Sequence, residues 1–531
     1  VVHLVPDTRL KTLQGDGFQL LPECVRAQGA QGYTSESQGR PGNNNCFVHN
    51  YTSLFFYKCN NLIPSYFSNT KQILMSKQIL VVGAGKSSSY LLHYLLGKSG
   101  EKDLRLVIAD KHPDQLPKAV SDHPRTEIVS LDIARAEARR KAVGASDIVI
   151  SMLPAALHID IARDCLEFGK HLVTASYISP QMRELDSEVR KKGLVFMNEI
   201  GLDPGIDHMS AMQVIDRIKS RGGKILLFES FTGGLVSPQS DTNLWNYKFT
   251  WNPRNVVVAG QGGAAKFKQE GTYKYIPYHK LFRRTEFLEI EGYGTFEAYA
   301  NRDSLSYRED YGLQDALTLY RGTMRRVGFS RAWNIFVQLG MTDDSYRIEN
   351  SRGMSYRDFT NLFLPYSPTD SVELKLRHYL KIDQDDIIWG KLLEIHLFDR
   401  DRTITLENAT PAQILQEILE ASWTLGPDDR DMIVMYHKFG YQLDGRNHQL
   451  DSNMVVLGEN KRLTAMSKTV GLPVAMATLL ILEGTYDTPG VQIPKDPGIY
   501  EPVLAELAAN GIAFREYDVP YLGYNPDSVA S

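Results

Sequence analysis

Cysteine is scarce in this 531-residue chain: there are four, and three of them (Cys24, Cys46, Cys59) precede residue 60, leaving Cys165 alone for the remainder. That excludes a disulfide framework and a cysteine-based zinc site from the main body, and it fits a reducing compartment, so a cytoplasmic location is expected. Charge of one sign is also lacking. A net charge of -4 leaves no electrostatic footprint for nucleic acid or for an anionic membrane surface. Long apolar runs are missing too: "VAMATLLIL" at 474–482 is half of the roughly 18 residues that a membrane span needs. A soluble protein with no nucleic-acid partner, no membrane partner and no metal is the expectation.

The composition that is present, 43% hydrophobic and 23% charged, is ordinary for a globular protein, and the length allows two to four domains. The first 74 residues differ from the rest. "AQGAQGYTSESQGRPGNNN" has no helical or strand period and too little apolar surface to offset its own ordering entropy, so a disordered extension is expected over 1–74. "MSKQILVVGAGK", from Met75, reads as a natural start.

From there, near-continuous Val/Ile/Leu runs alternate with helical stretches: "QILVVGAG" (78–85), "LRLVIAD" (104–110), "EIVSLD" (127–132), "DIVISMLP" (147–154), "KHLVTASY" (170–177) and "GLVFMNEIG" (193–201). Such runs predict a parallel sheet covered on both faces, a doubly wound, Rossmann-type α/β domain over 75–200, with ligands at the carboxyl ends of its strands. Helix and strand patterns return at about 465–531 and are expected to complete that domain. A second α/β domain is predicted over 201–310 and 396–464. Between its halves, 311–395 has a helical period and reads as a helical insert.

Gly83-Ala84-Gly85, directly after a strand, is the turn that lets backbone approach a pyrophosphate, and Lys86 and Ser87 follow it into the helix. Ser88 stands where a third glycine is usual. Asp110, ending the second strand, is placed to accept hydrogen bonds from a ribose and to repel a 2′-phosphate, which predicts NAD in preference to NADP, with Lys111 and His112 working against it. Ser151 and Leu153 in "SMLP", and Ala175, Ser176 and Tyr177 in "TASY", end two further strands and are expected on the nicotinamide side. Asp203, before Pro204, has two readings: a helix N-cap, or a functional carboxylate at the crevice.

"TASYISP", "GLDPGIDH", "NYKFTW", "YANRDS", "YRGTMRRVGF" and "AMSKTVGLP", in this order between about Ile79 and Tyr517, together resemble saccharopine dehydrogenase of the L-glutamate-forming type, also called saccharopine reductase. The resemblance implies interconversion of saccharopine with L-glutamate and 2-aminoadipate 6-semialdehyde, with NAD or NADP, in a homodimer. It implies that Ala84 to Ser87, Asp110, Asp132 and Ile133 contact the cofactor, that Ala175 and Ser176 lie near the nicotinamide, and that Leu202, Asp203 and Pro204 lie opposite. A substrate with three carboxylates needs cations. Lys248, Arg254, Arg302 and Arg321 are the candidates. Arg254 is carried over as the anchor, with Ser176, Tyr177 and Asp203, and Tyr275 as a further lining residue. Asp203 is the expected acid or base and Tyr177 its rival, while Asp207 and His208 are expected to turn away toward the domain junction and Gly201 and Gly205 to admit the cofactor backbone. Two alternatives remain: a carboxyspermidine-type dehydrogenase, disfavoured by so many cations, and a non-catalytic dinucleotide-binding sensor.

Overall fold

The structure, a computed structural model, describes residues 76–523; the extension expected over 1–74 lies outside the described residues. Six strands come first: β1 (Lys77–Val82), β2 (Leu104–Asp110), β3 (Thr126–Ser130), β4 (Ile148–Ser151), β5 (His171–Thr174) and β6 (Val195–Met197). After them run β7 (Lys224–Val236), β8 (Ala265–Gln269), β9 (Thr272–Ile276), β10 (Thr285–Ile290), β11 (Gly294–Ala300) and β12 (Thr318–Arg326). The last four are β13 (Asp431–Leu443), β14 (Arg446–Leu457), β15 (Gly490–Gln492) and β16 (Arg515–Val519).

β1 to β6 and β15 form one parallel sheet in the order β15-β6-β5-β4-β1-β2-β3. Its central residues, such as Ile79, Leu80, Val81 and Ile150, are fully buried, which is why these strands read as unbroken apolar runs. Val82 lies opposite both Ala109 and Ser151, so β1, β2 and β4 end level with one another. Strand order reverses between β1 and β4. The crevice at such a reversal is where doubly wound sheets place ligands.

The other nine strands form a mixed sheet in the order β10-β11-β12-β7-β13-β14-β16, with the β8–β9 hairpin beside β12. Two expectations are corrected here. The 465–531 segment divides between the sheets: β15 joins the first, but β16 pairs antiparallel with β14 in the second. Its sequence "REYDV" is partly exposed throughout, which suits an edge strand and not a sheet covered on both faces. In addition, "TLYRGTMRR" is not helical but is β12, lying parallel to β7 with Arg321 opposite Ser230. Burial along nearly its whole length removes the alternation that marks a strand. The helical region begins after it, at Phe329, and runs through the helix Pro411–Trp423.

The helix Ala465–Leu482 is long and apolar enough, by length and composition, to cross a membrane, but 78% of it is buried inside the protein. Thr464 caps it, and both oxygens of Asp431 accept from its first amides, Ala465 N at 2.6 Å and Met466 N at 2.9 Å. It packs against the helix Ser89–Ser99 that follows the glycine turn. The close approach depends on Gly471, where an added Cβ would lie 2.7 Å from Leu91 N and 3.1 Å from Leu91 Cβ. Gly471→Leu is therefore expected to lower stability by about 1–3 kcal/mol through overpacking. A denaturant midpoint equal to that of the parent protein would contradict this contact.

Candidate functional site

The glycine turn at the end of β1 has the shape its sequence requires. Gly83 sits at φ +90, with Met152 O 3.0 Å from where a Cβ would be. Gly85 has open space at its Cβ position, a cradle that a larger residue would fill and a dinucleotide phosphate fits. Ser88 turns away from it: its buried hydroxyl donates to Gly85 O at 2.6 Å. Lys86 is exposed and Ser87 partly so.

Asp110 braces this turn. One carboxylate oxygen accepts from Ala84 N at 2.7 Å and the other from His112 N at 2.8 Å. The carboxylate expected to receive ribose hydroxyls is thus engaged by backbone. Lys111 beside it reaches Asp132 at 3.4 Å. The Ala134 amide, and after it the Lys111 ammonium, hold the Asp132 carboxyl below its ordinary range. Asp132 and Ile133 lie partly exposed just after β3, as does Leu153 after β4.

Ser151, expected at the nicotinamide, is fully buried and bonded to His158 Nδ1 at 2.8 Å, so it faces inward. The loops after β5 and β6 press together: a Cβ on Gly201 would come 2.9 Å from Ala175 Cβ, and one on Gly205, at φ +145, would strike the Gly201 backbone. Gly201 permits the contact between the two loops, and Gly205 permits the tight turn within the second of them. Leu202 and Pro204 are buried beneath that contact.

Asp203 precedes a cis peptide to Pro204. It is no helix cap. The helix Ile206–Ser220 starts from Gly205, whose amide donates to Asp207 Oδ1 at 2.6 Å. Instead, Asp203 Oδ1 accepts from Arg321 Nη2 at 2.7 Å, and the same nitrogen also donates to Asp207 Oδ2. One buried guanidinium from β12 in the second sheet is shared by two carboxylates of the loop after the first. Burial raises the Asp203 carboxyl above its ordinary range, against the pull of Arg321. For Asp207 burial acts the same way but is outweighed by His208, Arg321 and the Gly205 amide, and its carboxyl lies below the ordinary range. Asp207 thus holds the junction between the two sheets, as expected, while sharing its cation with Asp203, and His208 joins it there through Tyr311.

Tyr177 OH lies 3.5 Å from Asp203 Oδ1, and burial holds its phenol protonated, well above the ordinary value. The guanidinium of Arg302 lies over the Tyr177 ring, 5.4 Å from its centre. Behind them Glu199 accepts from Ile178 N at 3.0 Å and Tyr307 OH at 2.9 Å, and its Oε2 lies 3.0 Å from His208 Nε2. Arg321 also lies over the Tyr307 ring, 4.5 Å from its centre.

Tyr177, Glu199, Tyr307 and Arg321 open onto a cleft of about 1040 Å³ between the two sheets, which Arg183, Arg190, Lys266, Arg302 and Lys495 also line. Arg190 is paired with Asp186, Lys495 with Asp310 and Lys266 with Asp303. Arg302 makes no ion pair among the described residues, which leaves its charge available beside Tyr177. Arg254, expected as the anchor, is paired with Asp344 and does not line the cleft. Tyr275 is 61% exposed on β9, also outside it, and Lys248 is held by Asp429 at 2.7 Å. His158, Lys266 and Tyr307 were missed by sequence reasoning, because a lone residue in a loop or strand carries no spacing signal. Among the described residues no group of three or more His, Cys, Asp or Glu is arranged to hold a metal.

Removing the shared cation leaves two carboxylates buried without a counter-charge, so Arg321→Met is expected to cost about 3–5 kcal/mol of stability. Adding Asp203→Asn and Asp207→Asn should recover much of the loss in denaturant titrations. Equal losses in both backgrounds would show that the ion cluster does not couple.

Comparison with known proteins places the fold in a family. Residues 79–197 match the family model of the saccharopine dehydrogenase NADP binding domain, and residues 201–512 that of the saccharopine dehydrogenase C-terminal domain. The chain is 31% identical over 449 residues to saccharopine dehydrogenase [NADP(+), L-glutamate-forming] of Schizosaccharomyces pombe, covering 82% of this chain and 98% of that protein. It is 32% identical to mouse mitochondrial alpha-aminoadipic semialdehyde synthase, covering 83% of this chain and 47% of that one. The structure of apo saccharopine dehydrogenase (L-Glu forming) from Saccharomyces cerevisiae superposes with a TM-score of 0.75 at 30% identity, over 84% of this chain and 100% of that chain. Two domain matches in chain order, a shared fold and this level of identity lead to one conclusion: the chain belongs to the saccharopine dehydrogenase family.

Proposed function

We propose that this protein interconverts saccharopine with L-glutamate and 2-aminoadipate 6-semialdehyde, using NADP as its nicotinamide cofactor. The observation that carries the reading is that Tyr177, whose hydroxyl lies 3.5 Å from Asp203 Oδ1, opens together with Arg302 onto a cleft lined by cations, beside the crevice of the first sheet. Saccharopine brings three carboxylates and a secondary amine to such a cleft. When bound, the nicotinamide accepts or supplies the hydride. Everything else falls to side chains. The chemistry requires a proton to leave or reach the amine nitrogen and the attacking water, and a carboxyl raised above its ordinary range by burial is suited to that exchange. Asp203 is assigned this role, with the protonated Tyr177 as a donor beside it. Arg302, not Arg254, is assigned to a substrate carboxylate, because its charge is free and it lies against Tyr177. A polyamine substrate would meet repulsion from the same cations.

The expected preference for NAD is withdrawn in favour of NADP. The relatives from Schizosaccharomyces pombe and Saccharomyces cerevisiae carry NADP(+) in their names, and the matched domain is described as NADP binding. The physical support is that both Asp110 oxygens are occupied by backbone amides, which softens their repulsion of a 2′-phosphate, while Lys111 and His112 stand exposed beside them.

Saccharopine-dependent formation of NADPH tests the reading. Asp203→Asn should retain NADPH binding and lose turnover by about a hundredfold or more. Near-parental turnover would reduce Asp203 to a structural partner of Arg321. Lys111→Ala should weaken NADPH binding by about tenfold and leave NADH binding little changed, as expected for one charge-assisted hydrogen bond to a phosphate. Equal effects on both cofactors would remove Lys111 from 2′-phosphate recognition.

A further inference from the structure

His158 has no part in the reading above, yet it joins two hydroxyls across the end of the first sheet. It is 5% exposed, at the start of the helix His158–Phe168 that follows β4. Its Nδ1 lies 2.8 Å from Ser151 Oγ and its Nε2 lies 2.7 Å from Ser176 Oγ. Burial lowers its pKa to about 4, and the positive end of the helix dipole acts in the same direction, so the ring is neutral at physiological pH. A neutral imidazole donates through one nitrogen and accepts through the other. The question is which.

Ser151 decides it. Its side chain is fully buried, and among the described residues His158 Nδ1 is the one acceptor its hydroxyl has. A buried hydroxyl left without an acceptor is costly, so Ser151 donates to Nδ1 and the ring proton resides on Nε2. Nε2–H then donates to Ser176 Oγ, which leaves the Ser176 hydroxyl proton free. The backbone of Ser176 is pinned as well: its amide donates to Thr174 Oγ1 at 3.3 Å and its carbonyl accepts from Glu199 N at 3.1 Å. Ser176 is partly exposed where β5 ends, next to Tyr177.

We infer that His158 is a positioning residue: through Ser151 it is locked as the Nε2–H tautomer, and it makes the Ser176 hydroxyl a donor aimed at the dinucleotide crevice. The group this hydroxyl would meet is an acceptor oxygen at the nicotinamide end of the cofactor, and the three bonds polarise one another in a single direction. This inference rests on the proposed activity for its kinetic arm, but the tautomer does not depend on it.

Two measurements test it. Nitrogen NMR of the ligand-free protein carrying ¹⁵N-labelled histidine should show His158 neutral and protonated at Nε2 between about pH 6 and 8. In Ser151→Ala the other tautomer should become populated. A His158 signal protonated at Nδ1 in the parent protein would overturn the proposal. In saccharopine oxidation, His158→Leu should lower kcat by about tenfold or more, raise the primary isotope effect with 4-deuterated cofactor in the reverse direction, and be rescued by His158→Gln, whose amide can donate at the Nε2 position. Ser176→Ala should match His158→Leu, and the double variant should be no worse than either, because both act through one hydroxyl. Additive losses, or an unchanged isotope effect with no rescue by glutamine, would assign His158 to packing alone. If His158→Leu does not fold, Ser151→Ala decides, with a fall in kcat of about threefold expected and an unchanged kcat contradicting the inference. A parent protein without saccharopine-dependent NADP reduction would end the functional reading while leaving the NMR result to stand on its own.

Discussion

A single guanidinium sets the terms for this structure. Arg321 is buried in β12 and divides one nitrogen between Asp203 and Asp207, so the second sheet and the loop that leaves the first are joined by an ion cluster with little access to water. Burying three charges is expensive unless they are paired in good geometry. The neighbours supply that geometry: Gly205 donates to Asp207, the Tyr307 ring lies against Arg321, and Tyr307 in turn donates to Glu199. Two acids with one cation also leave the cluster short of positive charge, and the unequal protonation tendencies of Asp203 and Asp207 follow from that shortage. Asp207, with the Gly205 amide and Arg321 beside it, lies below the ordinary carboxyl range. Asp203, with burial as its largest influence, is the one raised above that range.

The same cluster separates Arg321 from the other cations of the cleft. One nitrogen of Arg321 is held by both carboxylates, whereas Arg302, which lines the cleft with its guanidinium over the Tyr177 ring, makes no ion pair among the described residues. The strand order of the first sheet brings the dinucleotide crevice alongside, since β1, β4 and β5 all end beneath the loops that carry Ser176, Tyr177 and Asp203.

The first sheet was legible because its strands are buried on both faces and bounded by turns, one of them marked by Gly83 and Gly85 directly after a strand. The second sheet was partly hidden. β12 carries Arg321 and Arg325 four residues apart within an apolar run, a spacing that fits one face of a helix as well as one face of a strand, and only pairing with β7 resolves it. Asp203 was singled out by its motif, but its ion-pair partner was not, since Arg321 is 118 positions away and Arg254 was preferred. Asp110 shows a different limit. Its position in the sequence is that of a ribose-binding carboxylate, yet two backbone amides, invisible in sequence, claim both of its oxygens.

The central claim is that the proton chemistry at the amine belongs to Asp203 and the adjoining carboxylate to Arg302. A structure of the protein with NADPH and saccharopine bound tests it most directly. The account predicts the secondary amine within about 3 Å of Asp203 or of the Tyr177 hydroxyl, with a substrate carboxylate on Arg302. An amine placed away from both, with the carboxylates gathered on Arg254 instead, would contradict it.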